Sequence, residues 1–473
     1  MMKSRVCRVL FTVFCLGMIL MGAGPGHAAF YRGLHAGDYG MATDVVVYPD
    51  GRVTLVGCDT SISGNLNMTL IECYSDGGLR SATSYGMTGS DVLMSGAPGP
   101  SGSTYYGGYT NGGGLPQVQY MVVKQDDMGD LEWVKTLQFT TESRIMDLDV
   151  SPVEEIFIFG RVLGTPMPHD VAACKLDSAG NLQWCARLND GYFNFFAECV
   201  EATSDGGCIA AGSMGSTGIE VLVVFKLDAS GNLEWHRHIN APYYLTAYSI
   251  FETAPGEYTL GGLVLDIDSG SFLVRLDASG NLVWARKISH SVDHAHLMAM
   301  VPAAGGGYIA SGAFGPEGGS YVDCLIFKLD DAGAVEWATR IGDGVSLEEV
   351  GYGIDELPSG EIVITGSRVM SPPTDRDFLY IRLESDGTIP ECPYVQSVPL
   401  DSVDITAELN SYTRDVTVIT DLPVVADITS SIVTYSTNLT EYSLCDGIEV
   451  PSLSVTGIIG LLLLMGSRVR RSR

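Results

Sequence analysis

All five tryptophans of the chain close one recurring ten-residue phrase. It reads Lys175-Leu-Asp-Ser-Ala-Gly-Asn-Leu-Gln-Trp184. It returns as Lys226-Leu-Asp-Ala-Ser-Gly-Asn-Leu-Glu-Trp235, Arg275-Leu-Asp-Ala-Ser-Gly-Asn-Leu-Val-Trp284 and Lys328-Leu-Asp-Asp-Ala-Gly-Ala-Val-Glu-Trp337, and a weaker copy ends at Trp133. Successive tryptophans stand 51, 51, 49 and 53 residues apart. Degenerate copies lie at Glu72 to Ser81 and Arg382 to Glu391. A second phrase leads each copy, as in Thr203-Ser-Asp-Gly-Gly-Cys-Ile-Ala-Ala-Gly212, and its closing glycines fall at 57, 108, 160, 212, 262, 312 and 366. Seven units near fifty residues each constrain the fold more than any composition does. Such a unit is one supersecondary element that must bury its face against its neighbours.

One unit resolves into four strands: Phe196 to Ala202, Cys208 to Ser213, Val221 to Leu227 and Leu233 to Ile239. Asp and Gly turns join them, because Asp bonds its own turn backbone and Gly supplies the positive φ of a tight hairpin. Four antiparallel strands on this period predict an all-β, seven-bladed β-propeller over residues 30–395. A β-solenoid is the rival, but its coils are shorter and seldom carry two hairpins. The 57 glycines and the low 18% of charged residues agree with an all-β chain. In a propeller the repeat residues Trp133, Trp184, Trp235, Trp284 and Trp337 have a structural task. Each indole can cover a neighbouring blade's sheet while its N–H reaches a loop carbonyl. The second unit is the poorest, with Pro98 to Gly114 reading as loop. Phe30 to Leu34 stands where a fourth strand would end and could complete the last blade, whose own end carries Pro390 and Pro393.

Both ends read as addresses. Residues 1–29 have the basic start, apolar stretch and small residues of a secretory signal peptide, the alternative being an uncleaved anchor. Residues 450–473 carry Val450-Pro-Ser-Leu-Ser454, an apolar run to Met465 and four arginines; the run is short for a full crossing. Setting aside the seven basic residues of the two ends leaves 20 of the 27 Lys and Arg against 56 acids, a net charge of −36 on the body. That body repels nucleic acid and anionic lipid.

The phrases Thr203 to Gly212 and Lys226 to Trp235 resemble those of secreted bacterial and archaeal β-propeller repeat proteins, the SBBP-type repeats, over roughly residues 30 to 395. That resemblance implies export and carries no general catalytic activity. The tail at Val450 to Ser454 resembles the C-terminal protein-sorting signals of Gram-negative bacteria that begin Ile-Pro-Thr-Leu-Ser, which implies a membrane sorting protease as a partner; a simple C-terminal anchor is the alternative. The Asp228, Gly231 and Trp235 spacing is similar to the tryptophan-docking motif of quinoprotein dehydrogenases. Asp228 and Gly231 stand one residue closer than there, and no adjacent cysteine pair is present.

Between Cys392 and Cys445, Val403-Asp-Ile-Thr, Val416-Thr-Val-Ile-Thr and Ile432-Val-Thr-Tyr alternate apolar and polar residues. Residues 396–449 therefore read as a Thr/Val-rich β segment, either a small module or a stalk. Cys392–Cys445 and Cys58–Cys73 are the candidate disulfides of an exported chain. His290, Asp293, His294 and His296 are the one local candidate for a divalent metal, with His236 and His238 alternating on a nearby strand. Asp266-Ile-Asp268-Ser-Gly270 has half of a calcium loop. No catalytic residue and no other cofactor is indicated. The expectation is an exported, non-catalytic propeller scaffold at the cell envelope or outside the cell. It would bind an envelope or extracellular protein or glycan and no nucleic acid. The alternative is an exported propeller enzyme, quinoprotein-like or metal-dependent, with its site at the central channel.

Overall fold

A computed structural model describes residues 29–445 apart from 37–38, 61–63, 165–167, 217–218, 266–268, 317–321, 343–347, 370–375, 420–422 and 438. The signal peptide, the sorting tail and Asp266 to Asp268 lie outside the described residues, the signal's last residue excepted. Seven antiparallel sheets stand in the ring, blades 1 to 7 with innermost strands Gly40–Val47, Asp91–Pro98, Ser143–Val150, Asn194–Ala202, Tyr244–Ala254, His294–Pro302 and Glu348–Glu356, each of five strands rather than the expected four. Blade 4 shows how the repeat is spent: Asn194–Ala202 is innermost, followed outward by Cys208–Ser216, Ile219–Leu227 and Leu233–Asn240. Blade 2 is as complete, and the supposed loop contains the buried strand Thr104–Thr110. The ring closes as anticipated. Phe30–His35 pairs with Arg376–Leu383 of blade 7, running from Phe30 opposite Arg382 to Leu34 opposite Phe378. A closed ring excludes the solenoid.

The apolar core is divided into seven wedges, one between each pair of adjacent blades. The tryptophans cap the outer side of five of them. Trp184 and Trp235 donate Nε1–H to Ala229 O and Ala278 O of the next blade's turn, at 3.0 Å each. In that turn Asp228 accepts the N–H groups of Ser230 and Asn232, and Gly231 has φ +81°. A Cβ on Gly231 would sit 2.6 Å from the Trp184 ring, so glycine here serves both the turn and the indole that lies on it. Phe30 takes the tryptophan's place at the closing seam, against Gly77 of blade 1. The seam between blades 1 and 2 has no aromatic in this place. Ser81 stands there and hydrogen-bonds Glu72, which reaches toward Gly129.

The fifth strands correct the reading of residues 396–449 as a module or stalk. After blade 7 the chain reverses direction and travels once around the outside of the ring. Val395–Ser397 pairs with blade 6, Asp401–Asp404 with blade 5, Asn410–Tyr412 with blade 4 and Thr417–Ile419 with blade 3. Val424–Asp427, Val433–Ser436 and Thr440–Ser443 then pair with blades 2, 1 and 7. The alternation seen in the sequence is thus real strand, but each piece covers the open edge of a different blade, an edge that would otherwise invite pairing with another chain.

A short motif docks this belt at two places. Asp404-Ile405-Thr406 and Asp427-Ile428-Thr429 each straddle the residue that follows a tryptophan, Ala285 and Val134. The isoleucine N–H donates to its carbonyl, at 3.1 and 2.9 Å, and the threonine Oγ1 accepts its N–H, at 2.8 Å in both. The aspartates pair with Arg286 and Lys135.

Cys392 and Cys445 form a disulfide that joins the belt's beginning to its end, so a covalent loop surrounds the propeller. Cys58 and Cys73 do not bond. Both are buried free thiols at opposite ends of one hairpin, facing Met68 and Val53. Cys174 and Cys185, directly opposite on adjacent strands of blade 3, form a second disulfide that their spacing did not reveal.

Closing a loop of 53 residues contributes about 4 kcal/mol through the unfolded chain's lost entropy. Replacing both Cys392 and Cys445 by Ser is expected to remove roughly that much, read as a fall in urea midpoint. Limited proteolysis with mass readout should then cut the belt while leaving 30–391 whole; an unchanged midpoint and a protected belt would show that the clasp adds nothing.

Candidate functional site: the central channel

Every innermost strand carries a β-bulge at the same level. The extra residues are Thr43, Met94, Met146, Glu198, Tyr248, Met298 and Tyr352, one per blade. All seven line an axial cavity of about 670 Å³. The repeat's closing glycines explain how each bulge is possible. Gly57, Gly108, Gly160, Gly212, Gly262, Gly312 and Gly366 each face the residue just before it. A Cβ on any of them would overlap a carbonyl oxygen that the bulge pushes inward, that of Phe196 in the case of Gly212. The glycine beat in the sequence is therefore the imprint of the channel wall.

Below the bulges the wall turns acidic. Inner strands have no neighbour on their channel side, so some of their N–H groups need other acceptors. Asp44 accepts Gly96 N–H of blade 2 at 2.9 Å. Asp147 takes Val200 N–H of blade 4 at 2.8 Å and Ser95 O–H of blade 2 at 2.7 Å. Asp149 accepts Ala202 N–H at 2.7 Å. These carboxylates lace the inner strands of adjacent blades together. Burial pushes their pKa values up against the pull of the N–H groups, Asp44 to about 6 and Asp147 to about 7. Asp355 rises to about 7, burial again leading, and Asp149 and Glu201 are raised too. Glu198, higher up, is paired with Arg161 at 2.5 Å.

The two faces of the ring differ. On one, the turns from first to second and from third to fourth strand are five residues long in almost every blade, as between Ala202 and Cys208 or Leu227 and Leu233. This turn face opens as a cup of about 880 Å³ rimmed by Pro49, Pro98, Pro100, Pro152, Pro302 and Pro358. On the opposite face the loops from second to third strand vary, from two residues between Ser216 and Ile219 to eight between Thr110 and Gln119.

The histidine cluster does not assemble as one site. Asp293 N–H donates to His290 Nδ1 at 3.0 Å, the His290 ring lies edge-on to Phe314, and His294 and His296 stand side by side, ring centres 5.3 Å apart. Among the described residues no three His, Cys, Asp or Glu groups are placed to hold one metal ion. His236 and His238 form a second pair under the belt, next to Tyr412. The channel residues escaped the sequence reading because a bulge shows only once strands are paired; the seven glycines were the signal.

No family model matches the chain, and no curated protein matches it in sequence. Solved structures similar to it include a puromycin hydrolase mutant, at 14% identity and TM-score 0.43, covering 72% of this chain and 53% of that one. The chain thus spans about half the hydrolase's length. The β-propeller domain of the trilobed protease from Pyrococcus furiosus is 9% identical at TM-score 0.42, covering 75% and 96%. Sqt1 from Chaetomium thermophilum is 11% identical at TM-score 0.40, covering 83% and 99%.

Two outcomes follow from this wall. Gly212→Ala forces a methyl onto the Phe196 carbonyl and should lower stability by about 2–3 kcal/mol, whereas Ala211→Gly, one residue earlier, should lose only about 1 kcal/mol; equal effects would refute the bulge argument. A carboxyl whose pKa is raised on folding favours the fold below its unfolded value near 3.8 and loses that contribution as pH rises through its folded value near 7. Between pH 4 and 7 the stability of the parent minus that of Asp147→Asn should therefore fall with rising pH, by on the order of 1 kcal/mol per unit. A flat difference in melts across that window would count against it.

Proposed function

We propose that the protein is an exported, non-catalytic binding scaffold of the cell envelope or the extracellular space, with the loop face as its recognition surface. The observation that carries this reading is the contrast between the faces: turns of five residues in all blades but the fifth on one, loops of two to eight residues on the other. Recognition resides where a rigid frame tolerates variation. The channel carboxylates Asp44, Asp147 and Asp149 already serve neighbouring backbone N–H groups, which suits a frame more than an acid–base site.

Export accords with two disulfides, which persist in oxidising compartments. Among the described residues no helix is long and apolar enough to cross a membrane. Phe30 and Leu444 lie together at the edge of blade 7, Leu444 N–H donating to Tyr31 O, at the turn-face end of that strand. A membrane-directed tail leaving there, before or after a sorting protease acts on it, would hold the turn face toward the membrane and the loop face outward. An envelope or extracellular protein or glycan is the partner such an orientation serves.

The test is an array of envelope polysaccharides and outer-surface proteins probed with the full exported chain. Replacing residues 111–118 by Asn-Gly should abolish or weaken capture at least tenfold. Exchanging the turn Asp277–Asn281 for the sequence Asp330–Ala334 should leave capture unchanged. Capture that ignores the loop change, or responds only to the turn change, sinks the assignment of faces.

A further inference from the structure

The axial cavity has a feature that its structural carboxylates do not explain. Three residues beyond each bulge lies a tier of side chains that includes Asp149, Glu201, Phe251 and Asp355. Asp149 is satisfied by Ala202 N–H. Glu201, between Asp149 on blade 3 and Phe251 on blade 5, is not. Glu201 is half-buried, lines the cavity, and its carboxyl has no hydrogen-bond or ion-pair partner among the described residues. The charged groups facing it are Asp147, Asp149 and Glu252, all acidic. Among the described residues lining the cavity, none is Lys, Arg or His.

A half-buried acid among other acids, with no counter-charge beside it, favours a cation at its side. The remaining wall says which cation fits. Met94, Met146, Met298, Tyr248, Tyr352 and Phe251 contribute thioethers and aromatic rings to it. Hard metal ions need six or more converging oxygens, and no three acids converge here. Aromatic faces and soft thioethers suit an ammonium group on an apolar body, and about 670 Å³ is the size of a small-molecule pocket. We propose that the central channel binds an organic amine, its ammonium paired with Glu201 and its apolar part held among the methionines and aromatics of the bulge ring. This site is separate from the loop face and does not depend on it.

Burial first, then the neighbouring acids, raise the pKa of Glu201, and an ammonium ion beside it opposes that shift. Calorimetry on the full exported chain at pH 7 tests this with 4-phenylbutylamine and its neutral analogue 4-phenylbutan-1-ol. The amine is expected to bind at least tenfold more tightly than the alcohol. Glu201→Gln should weaken the amine at least tenfold, leave the alcohol unchanged and melt no lower than the parent. Should that variant fail to fold, Phe251→Leu provides the second test, with a loss of at least threefold for the amine alone. Equal binding of amine and alcohol, no binding of either, calcium binding in place of the amine, or an unaffected Glu201→Gln would overturn the proposal. None of these results touches the loop-face array.

Discussion

The fold depends on how one blade sits on the next. A propeller has no central core, so its stability is a sum of wedges, and each wedge must set the same rotation for seven of them to close. At five of the seven seams the indole-on-turn contact sets that rotation. Trp184 cannot move outward without losing Ala229 O, nor inward without striking Gly231. Because the turn that receives the ring is shaped by its own Asp228 and by a positive φ at Gly231, the receiving surface is fixed before the blades meet. Phe30 fills the same position at the closing seam, so the first described strand of the chain carries the wedge that ends the ring.

The belt answers a different problem. Every blade ends in an outer strand with an unpaired edge, and a ring of seven such edges is seven places for aggregation. One chain segment covers them all, running against the direction in which the blades were laid down. Its pairings are only three or four residues long, so no single one would hold. The segment is held by being continuous, by the two Asp-Ile-Thr docking points, and by the disulfide that returns its end to its start. The belt is complete only when all seven blades are there to pair with it.

Much of this was legible because the repeat is strict. The Trp133 to Trp337 series marked the turns and four of the five strands of a blade, the closing glycines gave the number of units, and Phe30 to Leu34 stood where a closing strand could complete the last blade. The belt was legible as strand and opaque as position. Val403-Asp-Ile-Thr alternates as any half-buried strand does, and nothing local states that its partner is Lys287, more than a hundred residues earlier. The cysteines divided in the same way. Cys392 and Cys445 bracket a visible change of pattern, whereas Cys174 and Cys185 meet only through the register of blade 3, and Cys58 and Cys73 are kept apart by the register of blade 1. The histidines at 290 to 296 looked like a cluster because they are close in sequence; on an extended strand that closeness brings together only alternate members.

The glycines connect the frame to its interior. A propeller assembled solely for rigidity could run its inner strands straight, keeping every ladder hydrogen bond. Here each inner strand is broken at one level, that of blade 5 a second time near its end, and the position opposing the shared break is kept free of a side chain so that the break can occur. What the break delivers is one projecting residue per blade, and those residues differ: threonine, three methionines, a salt-bridged glutamate and two tyrosines. The backbone device is repeated seven times while the side chains it presents are not. That is the same division of labour seen between the fixed turns and the varied loops of the two faces, now turned inward to the axis.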